Sequence, residues 1–114
     1  MSFINRYQFG KITIDGKTYT SDLILFPDKI LQNWRREKGH TLSIKDLSNI
    51  IEFKPDVLII GTGMFGLMHV SDNTIAKLKH YGINHISIQK TKDACEKYNQ
   101  EKYIEKVAAL HLSC

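Results

Sequence analysis

The chain has 114 residues, a length that suits one domain and leaves little room for two independent cores. Its apolar fraction of 42% and charged fraction of 25% are ordinary for a globular protein and exclude a disordered or fibrous chain. The formal charge of +4 is spread from Lys11 to Lys106, and the only dense basic patch is Arg35-Arg36-Glu37-Lys38, which argues against binding nucleic acid by charge.

In chain order the first expected element is an antiparallel hairpin over about 7–26. Tyr7, Phe9, Ile12 and Ile14 are β-formers, and Asp15-Gly16 is a hairpin-turn dipeptide. The chain then returns through Thr18, Tyr19 and Thr20 into Leu23-Ile24-Leu25-Phe26, where Pro27 stops the strand because it has no N–H for a ladder. From 27 to 41 the pattern is ambiguous. Ile30, Leu31 and Trp34 fit a short helix broken at Gly39, and a twisted strand over 34–42 fits as well.

The remainder, about 43–112, reads as αβαβαβ. Ser43 caps a helix over 44–53 with Asp46 as its capping-box partner, and Ile44, Leu47, Ile50 and Ile51 form its apolar face. Val57-Leu58-Ile59-Ile60 is a continuous apolar run, expected of a strand covered on both faces. Ser71 caps a second helix through Tyr81, stopped at Gly82. A strand over 83–88 follows, then a helix opened by Thr91 with Ala94, Tyr98 and Ile104 inward, then a last strand over 106–112. The fold class is therefore α/β. Alternating helices and buried strands predict a mainly parallel sheet.

The Gly61-Thr62-Gly63-Met64-Phe65-Gly66 loop follows a buried strand and matches the dinucleotide pattern G-x-G-x-x-G. Two further requirements fail. The helix-start signal is at Ser71-Asp72 rather than inside the loop, and the next strand ends in Gln89-Lys90-Thr91 without an acidic residue for a ribose. The glycines are therefore expected to shape a turn, and no cofactor is implied. His69 lies near the loop, but no Ser or Cys elbow accompanies it, so no catalytic residue is assigned. His111 and Cys114 are only two of the four ligands a structural zinc needs, so no metal is expected. Cys95 reads as a small buried hydrophobe. No signal peptide is read at the start, and the longest apolar runs, 23–27 and 57–60, are far too short to span a bilayer, so a cytoplasmic location is expected.

Trp34-Arg35-Arg36 with His40 is the most unusual stretch, because Trp and Arg are enriched at binding hot spots. The candidate surface joins Trp34, Arg35, Arg36 and His40 to Gly61, Thr62, Gly63, His69 and Lys90. It would meet a protein partner or a second copy in a dimer. The alternative is a small-anion or nucleotide-type ligand, or an enzyme substrate, at the same loop.

Residues spread along the whole chain resemble the adipogenesis-associated conserved-domain family. They are Asp15-Gly16 and Tyr19, Asp22 before Leu25-Phe26-Pro27, Trp34-Arg35-Arg36 with Gly39-His40, Asp46-Leu47, and Pro55-Asp56. Ile60-Gly61-Thr62-Gly63, Gly82-Ile83, Thr91, Ala94, Tyr98-Asn99, His111 and Cys114 complete the series. The resemblance implies a small α/β domain with a mixed central sheet and no established catalysis or cofactor. One mitochondrial member of that family is a respiratory complex I assembly factor, which implies work through protein contacts.

Overall fold

The computed structural model describes residues 2–103 and 105–114. The expectation for Ile104 lies outside them. Strands β1 (Ile4–Gln8), β2 (Lys11–Ile14) and β3 (Lys17–Tyr19) form an antiparallel sheet in the order β1-β2-β3. Asp15 and Gly16 both take positive φ, 49° and 82°, as a two-residue hairpin turn requires. The expected hairpin is thus present at that turn, but the chain bends once more. The return strand ends at Tyr19, and Leu23-Ile24-Leu25 belongs to a second sheet as β4 (Leu23–Leu25).

The ambiguous region contains β5 (Ile30–Gln32), antiparallel to β4, rather than a helix. Phe26 N–H donates to Lys29 O at 2.9 Å, closing a tight turn that turns Ile30 and Leu31 back along β4. Pairing with a neighbour thus overrides the helical spacing. Next come β6 (Thr41–Leu42), a 3-10 turn (Ile44–Leu47) and α1 (Ser48–Phe53), so the helix expected over 44–53 is split in two. Asp46 Oδ2 accepts the Ser43 N–H at 2.9 Å, which is the capping contact. Then follow β7 (Val57–Thr62), β8 (His69–Val70), α2 (Asp72–His80), β9 (Ile86–Gln89), α3 (Thr91–Gln100) and β10 (Lys106–His111).

Among the described residues the large sheet runs β5-β4-β10-β7-β9. It is mixed. β10 lies parallel to β7, and β7 parallel to β9, but β10 is antiparallel to β4. The last strand of the chain enters the middle of the sheet, where an N-terminal strand already forms its other neighbour. The mixed sheet is as expected, and only the mainly parallel reading from alternation is corrected, since two of its four pairings are antiparallel.

Alternation along the strands divides the core between two faces. Leu23, Leu25, Val57, Ile59, Ala108 and Leu110 pack with Ala94, Cys95 and Tyr98 of α3 and with Ile4, Ile12 and Ile14 of the small sheet. Ile24, Leu58, Ile60, Val107 and Ala109 pack on the opposite side with Leu47, Ile50, Leu78 and Trp34. Among the described residues no helix is long and apolar enough to cross a membrane.

Candidate functional site

β7 and β10 end side by side, with His111 in register with Thr62. The candidate residues gather around this end of the sheet, in two groups that meet at His111.

The first group is a buried ion cluster. Asp22 precedes β4, and its Oδ2 lies 2.9 Å from Arg36 Nη1 and 2.8 Å from His111 Nδ1. Its Oδ1 accepts the Leu112 N–H at 2.8 Å. Arg36 also donates from Nε to Gly39 O at 2.9 Å and sets its guanidinium 5.2 Å from the Trp34 ring centre. Burial pushes the Asp22 carboxyl up, but the contacts from His111, Leu112 and Arg36 outweigh it and hold the group below its ordinary value. His111 Nδ1 also lies 3.1 Å from Arg36 Nη2, and its Nε2 is buried with no partner among the described residues.

Trp34 is buried, and its Nε1–H donates to Asp46 O at 2.9 Å. Trp34 and Arg36 therefore face inward, while Arg35 is exposed. The His40 ring is exposed and sits 6.5 Å from the His111 ring, and its carbonyl accepts the His69 N–H at 2.7 Å. His69 is exposed on β8.

The second group is the glycine loop, and its backbone donors are all in use. Gly63 N–H donates to Thr91 Oγ1 at 2.8 Å. Met64 donates to Ser113 O, Phe65 and Leu67 both donate to Cys114 O, Gly66 to Gly63 O, and Met68 to Thr62 O. The chain's own 113–114 segment thus takes three backbone donors of the kind a pyrophosphate would need. Gly63 has φ 103°, and a Cβ there would run into the Ser113 carbonyl and come within 2.5 Å of the Cys114 carbonyl carbon. The loop's glycines thus serve a backbone-to-backbone approach. Gly61 is inside β7, Thr62 Oγ1 donates to Gln89 O at 3.1 Å, and the Lys90 stem borders Gly66. Thr91, expected as a helix cap, is fully buried and donates its hydroxyl to His111 O.

On the outside of this loop stand Phe65 and Leu67, 63% and 57% exposed, beside Phe9 at 55%. The Phe9 and Phe65 ring centres are 6.3 Å apart. Gly10 N–H donates to Leu112 O at 2.8 Å, which ties the Phe9 turn to the same tail that closes the loop. Lys90 is exposed beside Gly66, and the exposed Lys11 follows the Phe9 turn in β2. Sequence reasoning missed Phe9, Phe65, Leu67 and Asp22. Large apolar residues at turn positions, and a carboxylate opening an apolar strand, were the signals available.

Cys95 is buried in α3, and burial pushes its thiol up to about 12. Among the described residues no group of three or more His, Cys, Asp or Glu is placed to hold a metal.

A family model described as a protein of unknown function (DUF498/DUF598) matches residues 4–111. This corrects the resemblance to the adipogenesis-associated family, because the model that covers the chain is a different one. No curated protein matches the sequence. Among solved structures, a conserved hypothetical protein of Pyrococcus horikoshii has TM-score 0.82 at 23% identity, over 97% of this chain and 98% of that one. An outer membrane protein from Bartonella henselae has TM-score 0.78 at 22% identity, over 97% and 94% of the two chains. A Bordetella parapertussis protein has TM-score 0.76 at 18% identity, over 99% and 97%. At these identities the likeness is one of fold.

Proposed function

The chain belongs to the DUF498/DUF598 family of proteins of unknown function, and on that premise we propose that it is a non-catalytic binding domain acting through protein contacts. Its docking surface is the outer face of the glycine loop, and its partner presents an apolar side chain inside an acidic rim. The observation that carries this reading is the exposed group Phe9, Phe65 and Leu67. Exposed aromatic residues held together are the usual anchors of protein interfaces. Hydrogen bonds from Phe65 and Leu67 to Cys114, and from Gly10 to Leu112, fix the backbone beneath them. Little ordering entropy is then lost on docking.

Lys11 and Lys90 at the edge favour a partner with carboxylates. They also disfavour a second copy of the same chain, which would set lysines against lysines. A structural role for the Asp22–His111 pair fits its burial against Arg36. A reducing, cytoplasmic location fits the free thiols of Cys95 and Cys114.

The test is photo-crosslinking in the native host. A benzophenone amino acid replaces Phe65 in one strain and the exposed Asn84 in another. The reading expects one discrete adduct with an acidic protein from position 65, lost on Phe9→Asp or Lys90→Glu. The same pattern from both positions, or an adduct of the chain with itself, contradicts it.

A further inference from the structure

A cavity of about 310 Å³ lies between the Lys38–Lys45 stretch and α2, away from the glycine loop. Three lysines from different segments line it: Lys38 before β6, Lys45 in the 3-10 turn and Lys77 in α2. None of the three makes an ion pair among the described residues. One carboxylate, Glu37, shares the wall, and that of Asp46 lies behind it, accepting from the Glu37 N–H and from Ser43 Oγ, both at 3.0 Å. Three of the other cavities instead set one lysine against one carboxylate: Lys54 with Asp56, Lys97 with Glu101, and Lys29 with Glu52. Like charges around a concave wall raise the local positive potential and concentrate anions there.

We propose that this cavity binds the phosphate group of a small phosphomonoester. A lysine ammonium is a point charge suited to phosphate, and the three outnumber the carboxylates of Glu37 and Asp46. Ser71 adds a hydroxyl to the wall, while that of Ser43 is donated to Asp46 Oδ2 at 3.0 Å. Ser71 Oγ accepts the Thr74 N–H at 3.2 Å, and the N–H groups of Asp72 and Asn73 have no acceptor inside the helix. Ile44 and the lysine methylenes offer apolar surface for a short organic body. The volume sits at the lower end for ligand sites, which run from roughly 300 Å³ upward, and so selects a small molecule over a dinucleotide. This site is independent of the protein-docking face.

The test is a titration followed by amide chemical shifts at constant ionic strength. The probes are glycerol 3-phosphate, inorganic phosphate, sulfate and glycerol. The inference expects saturable shifts at Lys45, Asn73 and Lys77 with the phosphate probes, and weaker, non-saturating shifts with sulfate and glycerol. Lys45→Gln and Lys77→Gln should each weaken binding roughly tenfold, and Glu37→Gln should strengthen it. Tighter binding of glycerol 3-phosphate identifies an organic monoester as the ligand, and equal binding identifies free phosphate. The two lysine variants relieve repulsion, and all three substituted residues are exposed, so the variants are expected to fold. The inference is overturned if no phosphate probe saturates, if sulfate matches phosphate, or if the lysine variants bind like the parent.

Discussion

Asp22, Arg36 and His111 come from distant points of the chain, and their cluster explains why two adjacent arginines behave differently. Arg36 is 7% exposed at its side chain and paired, while Arg35 is in solvent. Asp22→Asn would leave Arg36 buried beside a neutral amide. The expected loss is about 2–4 kcal/mol, reduced from the roughly 3–5 of a fully buried pair because Asp22 keeps some contact with water. Arg36→Lys keeps the charge but loses the Nε bond to Gly39 and the stack on Trp34, for about 1–3 kcal/mol. Arg35→Lys should be within about 0.5 kcal/mol of the parent. Urea denaturation of the three variants checks this order. The same cluster sets an acid limb. Because the native Asp22 pKa is lowered from 3.8, its contribution is complete above that value and is lost as pH falls below it toward the native value. Asp22→Asn should therefore narrow its deficit against the parent below pH 3.8. None of this clustering was legible in the sequence. Asp22 and His111 are 89 residues apart, and spacing rules see only neighbours on one element.

Elements with their own start and stop signals were legible. α2 has Ser71 as cap and Gly82 beyond its end, and it forms as expected. α3 opens at Thr91, though Thr91 spends its hydroxyl on His111 rather than on the helix. β5 was not legible, because its strand character comes from lying against β4. The glycine loop was half legible. Its late helix start spoke against a dinucleotide, but nothing local showed that the 113–114 segment covers it. That cover makes a sharp prediction at Gly63. Gly63→Ala meets both a positive φ and the Ser113 and Cys114 backbone, and should cost about 2–4 kcal/mol. Gly16→Ala has φ +82° but open space around it, and should cost about 1–2 kcal/mol from the backbone alone. Thermal denaturation of the two variants separates the crowding from the backbone strain. Equal losses would mean that the tail does not press on the loop.

At the scale of the whole molecule, the continuous apolar runs identified the buried strands, and α/β class followed from their alternation with helices. Sheet order did not follow. β10 inserts between β4 and β7, joining the last strand to an early one, and that choice depends on how the two core faces fill. The insertion brings the tail across the end of β7, closes the glycine loop from inside, and turns Phe65 and Leu67 outward. The loop's backbone is occupied by its own chain, and Phe65 and Leu67 stand outside it. Amide hydrogen exchange by NMR, with and without NAD and NADP, tests this closure most directly. Closure by the 113–114 segment predicts slow exchange at Met64, Phe65 and Leu67 in the free protein, unchanged by either dinucleotide. Fast exchange at those three amides, slowed when a dinucleotide is added, would contradict it.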